Sequence, residues 1–552
     1  MIREIKKLKS EEFDVVIIGG GIHGVTIARE ASLQGLKTAL IEKNDFGSST
    51  SANSLKVLHG GLRYLQHANY KRIRQSIRSR KVFQQVAPNL VSNVPFLVPT
   101  FGFGVRSKFV MKTAIKLYDI ISADRNKNIP NDNFISNGKV LSKNEVVKIL
   151  PGLQQNNLTG GAVWYESIAN DSERLILQFV LDASDNGACI ANYLKATGFI
   201  IENKSITAVK VKDELNNHEF EIRTKNIIVT AGPWLNEIYN SFVSNNTFNI
   251  PLTKAVNIVV NKGLFGNYAV GLEGTEEYKD RDAIIKRGKR LYFFVPLNNK
   301  TMIGTTYNKF DDAPDKLTIT KSDLIEIIDE VNSIYPSLNL KFQDICFYHT
   351  GLLPMAEQKS PDDDIQPGKH SEIYDLEKTD GISGAYLIKS VKFTTAPSIA
   401  EDAVQMVLQK SGKKIKKTFV TSYNSNKKKE EIDLPYDVQK HLREIYGRNK
   451  YKIVSMINNN KQLAELVSNS PAVTIAEILY CIREEMAISL SDIILRRTGL
   501  GNLNIPSINT IIKIAKIMQN ELKWDNSKLD YEIEKVKKIY SVLNNSLLET
   551  NN

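Results

Sequence analysis

Three glycines near the N-terminus follow an apolar run in a spacing that suits dinucleotide binding. Val15–Ile18 is rich in β-branched residues and predicts a buried strand. Gly19, Gly21 and Gly24 then follow as G-x-G-x-x-G. Such glycines make the tight turn, let backbone N–H groups approach a pyrophosphate, and let the next helix pack close to the strand. The anion would lie at the N-terminal end of that helix, where free N–H groups and the macrodipole favour negative charge.

The elements that must position this turn occur in the order of a nucleotide-binding βαβ unit. A helix is predicted over residues 22–34 and a second strand over residues 36–41. Glu42 ends that strand, 18 residues after Gly24. A carboxylate at this place accepts hydrogen bonds from a ribose diol and would repel a 2′-phosphate.

The whole chain has the composition of a globular protein with two or three domains. It has 552 residues, of which 42% are hydrophobic and 24% charged, so the chain is long and apolar enough to form a large core. Three separated cysteines and seven histidines show no metal-ligand spacing, so neither a disulfide framework nor a metal site is expected. The N-terminus lacks the apolar region of a secretory signal, and no segment approaches the ~20 apolar residues of a spanning helix. A cytoplasmic setting fits these features.

A basic stretch at residues 410–435 carries much of the net charge of +12. Clustered lysines near an anionic membrane contribute about 1 kcal/mol each, so attraction to lipid head groups is one interpretation. A solvated linker between domains is the favoured alternative. Nucleic acid is not an expected partner, because no aromatic side chains are interleaved with the lysines.

Apolar runs beyond the first unit predict more strands. Those at 94–100, 257–263 and 290–297 predict a β-rich region inserted into the nucleotide domain. The run at 224–234 predicts a buried strand that returns the chain to the nucleotide sheet and ends in a glycine turn.

The C-terminal part of the chain has helical periodicity. Residues 434–447, 474–499 and 507–524 repeat apolar positions at i, i+3 and i+4, with charges on the opposite face. This pattern predicts an all-helical C-terminal domain.

The segment after Glu42 narrows the choice of dinucleotide. The sequence "TSANSLKVLHGGLRYLQ" at 50–66 combines hydroxyl side chains, a glycine pair, and basic and aromatic neighbours, which suits a loop crossing a pyrophosphate and a flat ring. With this segment, the sequence resembles the FAD-dependent glycerol-3-phosphate dehydrogenase family, a branch of the D-amino-acid-oxidase-like flavoproteins. The matching segments are "IIGGGIHG" (17–24), "TSANS" (50–54), "LHGGLRYL" (58–65), "NDSERL" (170–175), "TAGPW" (230–234), "MIGTT" (302–306), "VKFTT" (391–395), "YGRN" (446–449) and "LRRTG" (495–499).

The resemblance implies an α/β fold that holds FAD without a covalent bond. It implies a Rossmann-like FAD-binding domain, an inserted antiparallel β-rich substrate domain, and an all-helical C-terminal domain. The oxidoreductase region would span 13–420 and the C-terminal domain 432–552. The nucleotide-binding segments would be about 13–90, 160–235 and 380–410, and the substrate segments about 91–159 and 236–379.

The resemblance also implies an activity. Family members remove a hydride from a small hydroxy substrate, converting glycerol 3-phosphate to dihydroxyacetone phosphate, and pass the electrons to quinone or oxygen. Quinone reduction takes place at a membrane surface, so peripheral contact with the inner face of the cell membrane is an open expectation. The oligomeric state is open as well, a homodimer included.

The family's functional positions can be carried over residue by residue. Those that would contact FAD are Gly19, Gly21, Gly24, Glu42, Thr50, Ser51, Gly60, Gly61, Ala231, Gly232 and Lys392. Those assigned to substrate and catalysis are Arg63, Tyr64, Asn257, Lys392 and Thr394. A cation such as Lys392 would stabilise the negative charge of a reduced flavin ring. His59 stands where some amine-oxidising relatives attach flavin covalently, but the glycerol-phosphate branch has a histidine there without that bond.

The sequence departs from the family at the substrate end. "TGLLP" (350–354) puts Leu353 where an arginine that contacts the substrate is expected, and leucine cannot bind an anion. "KAVN" (254–257) puts Asn257 where a histidine is expected. Asparagine donates hydrogen bonds but cannot act as a general base near neutral pH.

Smaller departures lie nearby. A second family arginine has no clear counterpart in 361–375, where Lys369 and His370 are the closest cations. The family's "GGK" and "TTYR" become "SVK" (390–392) and "TTAP" (394–397).

Three hypotheses therefore stand. The first is oxidation of glycerol 3-phosphate or a related compound. The second is oxidation of a different alcohol, an amine or an amino acid in a remodelled pocket. The third is a flavin-binding partner protein without catalysis, which the loss of both arginine and histidine would favour.

Overall fold

The computed structural model describes residues 1–104, 107–242, 248–278, 288–358, 364–415 and 434–543. Residues 416–433, which form most of the basic stretch, lie outside this range. No helix within it combines the length and the apolar character needed to cross a bilayer.

The α-helices occur throughout the chain. In chain order they are α1 Ile5–Ser10, α2 Ile22–Leu33, α3 Tyr70–Val86, α4 Lys108–Ile121, α5 Lys143–Ile149, α6 Ser172–Asp185, α7 Leu235–Asn240, α8 Lys321–Ile334, α9 Leu376–Thr379, α10 Ala396–Lys410, α11 Tyr436–Tyr446, α12 Lys450–Asn459, α13 Ile475–Glu484, α14 Ile508–Leu522 and α15 Asn526–Tyr540.

The strands alternate with these helices in the N-terminal three quarters of the chain. In chain order they are β1 Glu12–Phe13, β2 Val15–Ile18, β3 Thr38–Ile41, β4 Val57–Leu58, β5 Val91–Phe101, β6 Lys139–Ser142, β7 Leu158–Ala169, β8 Cys189–Ala191, β9 Leu194–Glu202, β10 Ser205–Asp213, β11 His218–Thr224, β12 Ile227–Val229, β13 Leu252–Val260, β14 Ala269–Tyr278, β15 Gly288–Leu297, β16 Lys300–Phe310, β17 Ile345–Pro354, β18 Glu372–Asp375, β19 Ala385–Lys389, β20 Leu466–Asn469 and β21 Ala472–Thr474.

The chain forms two compact units. The first unit comprises 1–52, 171–252 and 369–552, and the second comprises 53–170 and 253–368. These boundaries differ from those of the segments predicted to bind nucleotide and substrate. The division of the chain into segments that bind nucleotide and segments that bind substrate stays a prediction.

The first unit is built on a six-stranded sheet in the order β18-β19-β12-β2-β3-β8. The neighbours β19, β12, β2, β3 and β8 are parallel. All four residues of β2 are buried, as expected for a parallel strand covered on both faces. Val16 and Ile18 pack in one core cluster with Val209 and Val211 of the four-stranded sheet β1-β11-β10-β9. Helix α2 packs against α6 and α10.

The second unit is built on a nine-stranded sheet. Its order is β17-β13-β16-β15-β14-β5-β7-β4, with β6 also paired to β7. Most pairs are antiparallel, and β14 with β5 is parallel. The predicted β-rich runs at 94–100, 257–263 and 290–297 lie on or overlap β5, β13 and β15. Helices α3, α4, α5 and α8 belong to this unit.

The C-terminal segment, residues 434–543, is largely helical, and it differs from the prediction in two ways. It contains one short antiparallel hairpin, β20 with β21. The pattern at 474–499 is also not one helix: α13 ends at Glu484, and a π-helical turn follows over Asp492–Arg497.

The second difference also concerns charge. Glu485, Asp492 and Arg497 are fully buried, although the pattern is that of an amphipathic surface. Their burial is possible because the buried acids and arginines pair with one another.

Candidate functional site

The parallel strands of the first unit end at one edge of their sheet. The glycine turn follows β2, Glu42 follows β3, Gly232 follows β12, and Lys392 follows β19. In open parallel sheets, ligands bind outside the carboxyl ends of the strands. This edge is therefore the candidate cofactor site, and it contains residues from four separate stretches of sequence.

Glycine is required at two positions of the turn. Gly19 has φ +110°, and a Cβ there would lie 2.6 Å from the carbonyl oxygen of Thr230. A Cβ on Gly24 would lie 1.8 Å from the carbonyl oxygen of Gly19. The helix can approach the strand this closely only because neither residue has a side chain.

The N-terminus of α2 is open to an anion. Its N-cap is Gly21, which has no side chain to satisfy the first N–H groups. The Ile22 N–H donates to Oγ of Ser51 at 3.0 Å. The following first-turn N–H groups have no intrahelical acceptor and carry the positive end of the helix dipole. The turn, the helix end and the hydroxyls of Thr50 and Ser51 fit the pyrophosphate of FAD.

Glu42 is held by the backbone around it. Its Oε2 accepts from the Gly20 N–H at 2.6 Å, and its Oε1 accepts from the Asn44 N–H at 2.8 Å. Burial raises the pKa of Glu42 above its usual range, against the opposing effect of these two hydrogen bonds. Each carboxylate oxygen keeps a second lone pair, so the group fits the ribose diol that the sequence predicts for it.

Two further predicted segments lie at the same edge. Gly232 has φ +57° and follows Ala231 in a tight turn after β12. The Thr230 hydroxyl donates to the Gly19 carbonyl oxygen at 2.9 Å, which ties this turn to the glycine turn. Lys392 is half-buried and Thr394 is buried, just before α10 begins.

In the second unit, a buried acid holds the glycine pair. The Gly60 N–H donates to Oε2 of Glu166, and Arg80 Nη1 lies 3.1 Å from the same oxygen. Burial raises the pKa of Glu166, against the opposing effect of Arg80. A Cβ on Gly60 would lie 2.1 Å from the Tyr118 hydroxyl, and Gly61 has φ +94°, so both positions require glycine.

Arg63 and Tyr64 lie on the short 3-10 helix Leu62–His67. The Arg63 side chain is exposed and Tyr64 is half-buried. The Arg72 guanidinium lies 5.5 Å from the centre of the Tyr64 ring. His59, just before the glycine pair, is exposed.

The altered substrate positions lie on neighbouring strands, β13 and β17. Asn257 is 1% exposed, and its Oδ1 accepts from the Thr305 hydroxyl at 2.6 Å. The Asn257 amide N–H groups and the second lone pair of its Oδ1 are the atoms that it can offer to a ligand. Leu353 is half-buried on β17. The cations Lys369 and His370 belong to the first unit, so they are not on the strand of Leu353.

The structure groups the predicted residues by unit. In the first unit, the sheet edge brings together Gly19, Gly21, Gly24, Glu42, Thr50, Ser51, Ala231, Gly232, Lys392 and Thr394. In the second unit, Gly60, Gly61, Arg63 and Tyr64 share one loop, and Asn257 lies on the sheet. Their assignment to FAD and substrate stays a prediction.

Sequence reasoning missed the residues that hold these loops. Asp45 follows Glu42 by three residues and binds Arg497, and Glu166 with Arg80 holds Gly60. Arg497 is part of the "LRRTG" segment, which the resemblance marked without giving it a role. The signal that could have found Arg497 was that this charged segment resembles the family, although no role was assigned to it.

Comparison with protein families gives two matches along the chain. Residues 14–406 match the family described as "FAD dependent oxidoreductase". Residues 408–529 match the "C-terminal domain of alpha-glycerophosphate oxidase". Together they cover both the sheet edge and the C-terminal segment.

Individual relatives match over nearly the whole chain. A glycerol-3-phosphate dehydrogenase of Synechocystis sp. is 27% identical, over 97% of this chain and 97% of its own. An aerobic glycerol-3-phosphate dehydrogenase of Staphylococcus haemolyticus is 29% identical, over 93% and 92%. The crystal structure of the Bacillus halodurans glycerol-3-phosphate dehydrogenase with FAD superposes with a TM-score of 0.73 at 22% identity, over 98% and 97% of the two chains. The predicted α/β fold class is confirmed.

Replacing Gly24 with alanine tests the glycine cradle. The new methyl group would meet the Gly19 carbonyl, so we expect Gly24→Ala to destabilise the protein by about 1–3 kcal/mol and to weaken FAD binding. Gly104→Ala is the control, because a Cβ there meets nothing within 4 Å. Thermal unfolding and FAD titration of the apoprotein measure both effects. Equal stability and equal FAD affinity of the two variants would contradict the requirement for glycine at position 24.

The pKa of Glu42 predicts a pH dependence of FAD binding. The ribose diol favours the ionised carboxylate, and the raised pKa means that acidification protonates Glu42 earlier than an ordinary glutamate. FAD affinity should therefore fall with decreasing pH through the raised pKa, and binding near that pH should release a proton. Glu42→Gln should bind FAD more weakly and lose that proton release. Titration calorimetry in buffers of different ionisation enthalpy measures the number of protons released on binding. An unchanged proton release in Glu42→Gln would show that Glu42 is not the group that titrates.

Proposed function

The chain belongs to the FAD-dependent oxidoreductase family, and we propose that it oxidises glycerol 3-phosphate or a closely related small hydroxy compound. FAD is its cofactor, and oxidation of a CH–OH group is the family's activity. The proposed substrate is supported by the match of two glycerol-3-phosphate dehydrogenases over more than nine tenths of this chain.

Bound FAD would supply a ring that takes a hydride, and quinone or oxygen is the proposed electron acceptor. The chain's own residues supply the rest. The glycine turn, Ser51 and Glu42 hold the dinucleotide end, and Lys392 provides positive charge at the start of α10. Asn257 would donate a hydrogen bond to a substrate oxygen through its amide N–H groups, while its Oδ1 accepts from the Thr305 hydroxyl. Asn257 does not take the hydroxyl proton.

A second candidate substrate class follows from Leu353. The strand β17 presents a leucine where the family's phosphate-binding arginine is expected, so an unphosphorylated alcohol, an amine or an amino acid would lose nothing there. A charge-assisted hydrogen bond contributes about 1.5–3 kcal/mol, which corresponds to a factor of about 10 or more in affinity. Affinity for glycerol 3-phosphate should therefore be modest.

Anaerobic reduction of the bound flavin tests the proposed reaction. The purified holoprotein is mixed with glycerol 3-phosphate or with small alcohols, amines and amino acids, and loss of the flavin's visible absorbance is followed. We expect glycerol 3-phosphate to reduce the flavin. Reduction only by another compound would move the same chemistry to that substrate. Silence across the panel would support the flavin-binding partner protein without catalysis.

Restoring the arginine tests the altered site. Leu353→Arg should lower KM for glycerol 3-phosphate about tenfold with a smaller change in kcat, because it adds one charge-assisted hydrogen bond to the phosphate. Leu353→Met is the matched uncharged control. Steady-state kinetics measures both constants. An unchanged KM in Leu353→Arg would show that position 353 does not face the phosphate.

We also propose that the second unit contacts a membrane containing anionic lipids. Helix α4 exposes Phe109 at 78% and Ile120 at 73%, on the same face as Lys112 and Lys116. Phe103, just before this helix, is fully exposed. Exposed aromatic and aliphatic side chains flanked by lysines are typical of helices that lie in the lipid interface. This surface supports membrane contact independently of the basic stretch, of which residues 416–433 lie outside the described part of the chain.

Vesicle flotation tests this surface. The protein should float with vesicles of anionic and zwitterionic lipid and less with zwitterionic lipid alone, because the lysines attract negative head groups. Phe109→Ser with Ile120→Ser should abolish flotation. Ile325→Ser on α8 is the control, since Ile325 is a partly exposed isoleucine on another helix of the same unit. Flotation of the double variant like the wild type would overturn the assignment.

A further inference from the structure

Asp45 is a buried carboxylate held by the C-terminal segment. Its side chain accepts from both terminal nitrogens of Arg497 at 2.8 Å and from Arg496 Nε at 2.6 Å. Asn192 Nδ2 donates to it at 3.1 Å. Burial alone would raise the pKa of Asp45, but the two guanidinium groups outweigh it and hold the pKa far below the usual range. Asp45 is therefore ionised throughout the neutral range.

The ion pairs around Asp45 form a continuous buried network, in which Arg497 lies between Asp45 and Glu485. It contains three acids and three arginines, namely Asp45, Glu485, Asp492, Arg174, Arg496 and Arg497. Arg174 of α6 pairs with both oxygens of Glu485, at 2.6 and 3.0 Å. Positive and negative charges balance, so the network carries no net charge. The hydrogen bonds of the loop that holds Asp45 show how the network acts on the position of that loop.

Asp45 lies in the loop that follows Glu42, and this loop contacts the glycine turn. The Gly47 N–H donates to the Gly20 carbonyl at 3.0 Å, while the Gly20 N–H donates to Glu42. A Cβ on Gly20 would lie 2.8 Å from the Phe46 ring, so the ring packs directly on the turn. A shift of Asp45 would therefore move the Glu42 carboxylate and the glycine turn together.

The C-terminal segment thus fixes a loop that it does not itself form. We propose that Arg497, acting through Asp45, is a positioning residue for the adenosine end of FAD, so that the C-terminal segment is part of the cofactor site. Arg497 contacts neither the glycine turn nor Glu42 directly. The bidentate geometry matters because it fixes the orientation of the carboxylate as well as its place.

The proposal is tested by FAD and ADP binding to the full-length apoprotein. Arg497→Met and Asp45→Asn should raise the Kd for FAD at least tenfold, and Arg497→Lys should raise it about threefold, because lysine keeps the charge but loses the fork. The inhibition constant of ADP, which carries the same ribose and pyrophosphate, should rise by the same factor as the Kd for FAD. Flavin fluorescence titration and competition measure both.

A matched control separates positioning from general loss of stability. Ile514 is fully buried in α14, and Ile514→Ala should lower the unfolding temperature of the apoprotein without changing the Kd for FAD. Equal weakening of FAD by Ile514→Ala would overturn the proposal, as would a wild-type Kd in Arg497→Lys. A FAD effect without an ADP effect would also overturn it. If the two stronger variants do not fold, Arg497→Lys and the control carry the test.

Discussion

The salt bridge between Asp45 and Arg497 connects the loop after β3 to the π-helical turn of the C-terminal segment. Both side chains are at most 1% exposed, and the carboxylate accepts two parallel hydrogen bonds from the guanidinium. Removing one partner of a buried ion pair costs about 3–5 kcal/mol, because it leaves an uncompensated charge away from water. That is a large part of the stability of a typical protein. Neither the loop after β3 nor the π-helical turn can therefore change place without the other.

The sheet edge depends on this loop, and its chemistry is almost entirely backbone chemistry. The turn at Gly19, the end of α2 and the turn at Gly232 offer N–H groups and close approach, while Glu42 supplies a carboxylate. Such a site was predictable from the sequence because its requirements are local. Glycine spacing, a preceding buried strand and an acid at the end of the next strand each leave a mark within a few residues.

The partners that hold those loops could not be predicted in the same way. Asp45 and Arg497 are separated by 452 residues, and periodicity places charges on a face without saying what the face meets. At 474–499 the pattern fitted an amphipathic helix with its charges opposite the apolar face, yet α13 ends at Glu484 and Glu485 is buried. Glu485 can be buried because its ion pair with Arg174 offsets the free energy that burial of a charge costs. The substrate side shows a related limit: Leu353 and Asn257 reveal which chemistry is missing, but not which residues compensate.

Amide hydrogen exchange with and without FAD tests the coupling between the cofactor site and the C-terminal segment most directly. Coupling free energies are reciprocal, so if Arg497 positions the FAD site, bound FAD must stabilise the segment against opening. Peptides covering 485–499 should exchange more slowly in the holoprotein than in the apoprotein, and Arg497→Lys should reduce this difference. Protection confined to residues 19–51 and 230–232, with no change at 485–499, would contradict the account.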